Sequence, residues 1–432
     1  MPFPENTPLP IPEPDFAGFS IGHGPADVPA PAATDAPGEG RPNRLGQARA
    51  LFRRFERPEP SPGRTAALHI GLFLLTLVTT TLAGIQLTRG AVDFLPLDVF
   101  QLRGPVLWAE LRRGLWFALP FLGVLTVHEF GHYFTARYHR VRSSLPYYIP
   151  FPMGLGTFGA IIRIREQIFS RREFFDIGLA GPLAGFLVAV PLLIYGFTHL
   201  PALEYVYTIH PDYARYGADY ARHVYGAKEL ANGLTLSRPL LYQFLERTFA
   251  DPARLPHPLE LLHYPVLLAG SLSLFFTALN LLPMGQLDGG HILYGLLGPQ
   301  RFNRMVPVLF TGFIFYAGLG LFSLHDNWQT WSYGGPVYAG YLALIFWRVF
   351  PRPRQGLLLA AGIWAAQIAG AALLPGIVGN PGWLVFGLLL GRFTGIYHPP
   401  APDERALSPG RQLLGWLMVV IFVLCFTPSP FA

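Results

Sequence analysis

Two histidines four residues apart, His128 and His132, bracket a glutamate, Glu129, in the run His-Glu-Phe-Gly-His. Residues four apart on a helix share a face, so both imidazoles can offer a nitrogen to one metal ion. Glu129, one residue further on, can then reach a water beside that ion without ligating it. Two histidine ligands with a glutamate general base is the arrangement of zinc peptidases. With His and Glu each at roughly 3% of residues, the pattern arises by accident about once in a hundred chains of this length. The plainer alternative is an interfacial histidine pair that snorkels or meets a carbonyl. That accounts for a lone histidine in an apolar stretch better than for this pattern, because ionisable groups inside a membrane helix are costly and mark function by default.

A catalytic zinc usually takes three protein ligands and keeps one position open. Candidates for the third lie in Asn280-Leu-Leu-Pro-Met-Gly-Gln-Leu-Asp-Gly-Gly-His291. Asp288 follows an apolar stretch at the depth expected for the two histidines. Asp-Gly-Gly is also turn chemistry in its own right, and His291 is the rival ligand, or else a support for one. The single cysteine, Cys425, excludes a disulfide framework, a cysteine-rich zinc module and an iron–sulfur cluster. Any metal must be held by His, Asp or Glu.

The elements that position these residues belong to a membrane protein. Of 432 residues 51% are hydrophobic and 13% charged, about half the charge of a soluble domain, with a mean hydropathy of +0.34. Candidate spans cover residues 66–87, 114–133, 174–197, 265–283, 305–324, 336–350, 355–374, 382–395 and 413–426. Several fall short of the ~17–25 residues a span needs, so the expectation is eight or nine transmembrane helices. The basic excess of 32 over 26 acidic residues is that of basic cytoplasmic loops. Arg137, Arg140, Arg142, Arg163, Arg165, Arg171 and Arg172 share one side with a cytoplasmic N-terminus, which predicts an active site on the cytoplasmic side of the inner membrane. No basic stretch is interleaved with stacking aromatics, so nucleic acid is not an expected partner.

Between the second and third spans, Pro146, Pro150 and Pro152 precede Gly154, Gly156 and Gly159 and then Ala-Ile-Ile-Arg-Ile-Arg. This stretch cannot be a spanning helix. It reads as a hairpin whose second arm is a strand, lying either in a cytoplasmic loop or re-entrant at membrane depth, where irregular backbone must line a wet cavity.

HEFGH in one span, the small-residue run AGPLAG in the next, and NLLPMGQLDGGH after a fourth resemble the site-2 protease family of intramembrane metalloproteases. The likeness covers about residues 114–298, and FPMGLGTFGAIIRIR and AGPLAGF are similar to its plastid and bacterial branch. The lead into Asp288, Met-Gly-Gln-Leu, departs from the proline-rich wording of many members. The resemblance implies an all-α polytopic membrane protein with a re-entrant β-hairpin next to the active site. It implies one Zn²⁺ held by His128, His132 and Asp288, Glu129 as catalytic base, and Asn280 positioning the substrate backbone. It also implies a hairpin edge, here Gly156, Gly159 and Ile162, that takes an unwound strand of a transmembrane substrate.

The expected organisation is therefore a Pro/Gly-rich, disordered and then basic segment at 1–64, and a first span with an outer loop at 65–113. The metalloprotease core follows at 114–298, with an extracytoplasmic insertion at 199–263 forming a small helical cap. Further spans occupy 299–432. A non-proteolytic zinc-binding scaffold and a transporter are the alternatives. A scaffold needs no base at Glu129, and no inverted repeat of the kind carriers use is evident.

Overall fold

The computed structural model describes residues 62–90, 99–225, 236–350, 352–374 and 376–430. The expected disordered segment at 1–64 lies almost wholly outside them. The described residues form a helical protein with one two-stranded sheet. Helix α1 spans Pro62–Thr88 and α2 spans Gly104–Tyr138. After the sheet come α3 (Arg171–Thr198), α4 (Glu204–Ile209), α5 (Tyr220–Val224) and α6 (Leu240–Phe249), then α7 (Pro265–Asn280) and α8 (Asp288–Leu297). The C-terminal part holds α9 (Pro299–Ala317), α10 (Gly335–Phe346), α11 (Pro353–Leu373), α12 (Trp383–Leu388) and α13 (Pro409–Cys425).

Local chemistry accounts for several boundaries. Pro105 opens α2, where a missing N–H costs nothing. Ser170 caps α3 by accepting from the Glu173 amide at 3.1 Å, while the Glu173 carboxylate accepts from the Phe169 amide at 3.0 Å. Together these bonds fix where α3 starts. Helix α8 begins at Asp288 itself.

Four helices are long and apolar enough to cross a membrane: Gly63–Thr88, Gly104–Tyr138, Arg171–Thr198 and Pro353–Leu373. Their outward surfaces are apolar, as a lipid solvent requires: Ile70, Leu74 and Val78 on α1 and Leu187 on α3 are all more than half exposed. Helices also occupy the other five candidate spans, over shorter or shifted ranges: Pro265–Asn280, Pro299–Ala317, Gly335–Phe346, Trp383–Thr394 and Pro409–Cys425. The second helix exceeds its expected range by ten residues at its start.

Helix α2 packs between α1, α3 and α7, and α3 packs on α7 and α8. These five helices share one apolar core, which continues into the cap through Leu200, Val206, Tyr220 and Leu261. A second core under α9–α12 centres on Phe302, Phe310, Phe346 and Trp383.

The hairpin lies where the prolines and glycines predicted it. Strands β1 (Tyr147–Pro150) and β2 (Thr157–Ile161) pair antiparallel, with Tyr148 opposite Ala160 and an irregularity between Tyr148 and Pro150. Its turn is pinned to α1. Thr79 donates to the Gly156 carbonyl at 2.7 Å, and Gly156 has φ +80° with the α1 backbone where a Cβ would be.

Candidate metal centre and active site

One helical turn carries His128 and His132, and their Nε2 atoms stand 3.0 Å apart. Asp288 reaches them from the first turn of α8. Its Oδ2 is 3.4 Å from His128 Nε2 and 3.3 Å from His132 Nε2. Tetrahedral zinc with bonds of ~2.0–2.1 Å separates its ligand atoms by about 3.3 Å, so all three separations suit one ion.

The protonation pattern points the same way. His132 Nδ1 lies 2.7 Å from the Ile177 carbonyl of α3. A carbonyl only accepts, so Nδ1 carries the proton and Nε2 presents a lone pair towards Asp288. A metal-binding imidazole is commonly oriented in this way. The donor set therefore fits a zinc ion.

Small residues let α3 come this close. A Cβ on Gly181 would overlap the His132 ring, and one on Gly178 would stand 2.6 Å from His291 Cβ. The run at 178–185 is thus a packing face for the histidine helix, as small residues are between membrane helices.

Glu129 is buried and shares a cavity of about 300 Å³ with His128, His132, Asp288, Asn280 and Ile162. The backbone amide of Ile162, just beyond β2, approaches its carboxylate. The neighbouring Arg163 accepts from the Ser144 amide through its carbonyl and donates to the Ser144 hydroxyl, both at 2.9 Å. The backbone groups of Ile162 consequently face the other way, towards the cavity.

The remaining predicted residues fall in different places. The Asn280 side-chain amide comes within 3.4 Å of His128 Nε2. Gly159 lines a smaller adjoining pocket with His128 and Asn280, and nothing fills the space a Cβ would take there. Gly156 sits against α1 and is not among the residues lining either cavity. His291 lines the large cavity but stands outside the three-atom cluster.

The setting of His291 rests on contacts that sequence reasoning missed. His398 Nδ1 donates to the Pro399 carbonyl at 2.7 Å, which leaves its Nε2 to accept from His291 Nδ1 at 2.8 Å. His398 stacks on Tyr294 with centroids 3.7 Å apart, and the Tyr294 hydroxyl donates to Glu404. Ile177, Gly181 and His398 were all unread as site residues. Small residues permit close packing, but a backbone carbonyl such as that of Ile177 leaves no mark in residue type.

The profile of peptidase family M50 matches residues 116–324. The chain is 28% identical over 358 residues to "Probable zinc metalloprotease EGY1, chloroplastic" of Arabidopsis thaliana, covering 79% of this chain and 58% of that protein. The rice protein of the same name is also 28% identical, over 76% of this chain and 53% of its own length. "Probable zinc metalloprotease EGY2, chloroplastic" of Arabidopsis thaliana is 27% identical over 45% of this chain and 31% of its own. The chain thus spans a little over half the length of the first two relatives. No solved structure matches it.

Proposed function

We propose that this chain, which belongs to peptidase family M50 of the site-2 protease type, is an intramembrane zinc metalloprotease. Its substrates are membrane proteins cut in or near a transmembrane segment. The observation that carries the reading is the convergence of His128 Nε2, His132 Nε2 and Asp288 Oδ2 within 3.0–3.4 Å of one another, in a cavity shared with Glu129.

His128, His132 and Asp288 would hold one zinc ion, which when bound would supply Lewis acidity to the scissile carbonyl and to a neighbouring water. Glu129 takes the proton of the attacking water and returns it to the leaving amine. The Ile162 amide beside the carboxylate supports that role by limiting how Glu129 can turn. Asn280, at the end of α7, donates to the substrate backbone or to the oxyanion that forms at the scissile carbonyl.

A transmembrane helix hides its carbonyls in its own hydrogen bonds, so the substrate must unwind before it is cut. An unwound strand needs partners for its peptide groups inside the bilayer. The outer edge of β2, continued by Ile162, supplies them by strand addition. Gly159 leaves room beside that edge; Gly156 contributes by anchoring the turn on α1.

The positive-inside pattern supports a cytoplasmic N-terminus and a site that opens to the cytoplasm, with the cap at 199–263 on the other side and eight or nine spans in an inner membrane. The bilayer and single-span proteins are the partners. The test is cleavage of a panel of single-span substrates by the purified chain, with and without a chelator. Cleavage that the chelator abolishes and zinc restores is the expected result. No cleavage of any member by zinc-loaded chain, or cleavage indifferent to the chelator, overturns the reading.

A further inference from the structure

At the other end of α7, about 25 Å from Asn280 at 1.5 Å per residue, a second group of metal-ligand side chains converges: His210, Glu260 and His263. His263 and Glu260 lie on the 3₁₀ turn Pro258–His263 that leads into α7, and His210 follows α4. His210 Nε2 is 3.1 Å from His263 Nε2, and Glu260 Oε2 is 3.3 Å from His263 Nε2 and 3.8 Å from His210 Nε2.

Proton bookkeeping leaves this group short of a cation. His263 Nδ1 lies 2.6 Å from the Thr88 carbonyl at the end of α1, so its proton sits there and its Nε2 is a bare lone pair. Glu260 is fully buried. Its Oε1 accepts from the Tyr225 hydroxyl, while its Oε2 has no hydrogen-bond donor and faces the two imidazoles. Of the three converging atoms, a proton on His210 Nε2 can bridge one pair only. A buried acceptor left without a partner is costly; an ion at the centre meets all three.

We infer that His210, Glu260 and His263 form a second zinc site, one that fastens the cap to the end of α1. Two imidazoles and a carboxylate oxygen are ligands that zinc takes. The two shorter separations match the ~3.3 Å edge of a zinc tetrahedron, and the Glu260–His210 edge, at 3.8 Å, is about 0.5 Å longer. The ring nitrogen of His263 turned away from the site is fixed on a backbone carbonyl, as that of His132 is at the other site. His210, with a side chain 30% exposed, leaves the fourth position to water. The inference goes beyond the proteolytic reading and stands without it.

Zinc bound per chain in the full-length, detergent-purified protein tests it, after stripping with chelator and dialysis against limiting zinc. The wild type should hold two ions, His210→Ala one, Asp288→Asn one, and the double variant none. Cobalt loaded into Asp288→Asn should give visible ligand-field bands that His210→Ala abolishes. The comparison with and without His210→Ala in the Asp288→Asn background reads the cap site alone, whatever becomes of the other. Gel filtration and circular dichroism check folding, and Glu260→Gln replaces His210→Ala should that variant fail them. A wild type that binds one ion, lost with Asp288→Asn, overturns the inference. So does a second ion that survives both His210→Ala and Glu260→Gln.

Discussion

Gly181 on α3 lies so close to His132 on α2 that a Cβ at residue 181 would overlap the imidazole Nε2 that faces Asp288. The position of a proposed zinc ligand is thus set by the absence of a side chain on its neighbour. Gly181→Ala should push the ring off the Asp288 carboxylate. Overpacking typically costs ~1–3 kcal/mol, and disturbed support of a ligand weakens metal binding ~10–100-fold. Zinc titration of the purified variant checks this. Gly123→Ala is the control, because nothing lies within 4 Å of its would-be Cβ and it should bind zinc as the wild type does.

Glu129→Gln separates the base from the ligands. The glutamine oxygen can still accept from the Ile162 amide, and the three converging atoms of His128, His132 and Asp288 are untouched. Cleavage of a single-span substrate should fall at least ~100-fold, within the range general base catalysis contributes, with zinc content unchanged. Near-normal proteolysis would remove Glu129 from the mechanism.

Asp288→Asn and His291→Ala should differ in metal content. Asparagine keeps the shape of Asp288 but loses the charge, so zinc at this site and activity should both fall. His291 is engaged by His398 at 2.8 Å and lies outside the ligand cluster. Its alanine variant should retain zinc, at some cost to the order of the segment around His398. Metal analysis giving the reverse would make His291 the third ligand.

These variants also mark what residue types could disclose. The helical period alone places His128 and His132 on one face, and the hydrophobic runs bring Asp288 to their depth; preferring Asp288 to His291 as the third ligand came from the family resemblance. The hairpin was readable because proline and glycine exclude a spanning helix there. The N-cap serine of α3, Ser170, is also visible in residue type. Backbone partners such as the Ile177 carbonyl and the Ile162 amide carry no such signal, since any residue supplies them. Nor does the pairing of His291 with His398, or of His210 with Glu260 and His263, because no helical or strand period links residues so far apart in sequence. Span number was the least legible feature. An apolar helix of sixteen residues, such as α7, sits at the boundary between a short span and a buried core element, while α9 has the length of a span but opens on Arg301 and Arg304.

The proposed grip on substrate rests on Ile162. Proline there removes the amide and fixes φ, whereas valine keeps strand geometry and most of the apolar area. Ile162→Pro should lose most activity with zinc unchanged, and Ile162→Val should cleave like the wild type. The same amide approaches Glu129, so proline could act through the base rather than through strand pairing. A change in the substrate separates the two. A synthetic single-span substrate N-methylated at one amide beside the scissile bond loses a backbone donor while the enzyme stays intact. If the free edge of β2 and Ile162 takes the substrate as an added strand, the methylated substrate should be cut at least ~10-fold more slowly by the wild type. Methylation on the opposite edge of the same strand should cost less. Equal rates for all three substrates, with Ile162→Pro still inactive, would confine Ile162 to orienting Glu129. The substrate would then be gripped elsewhere, with the Asn280 amide the first candidate.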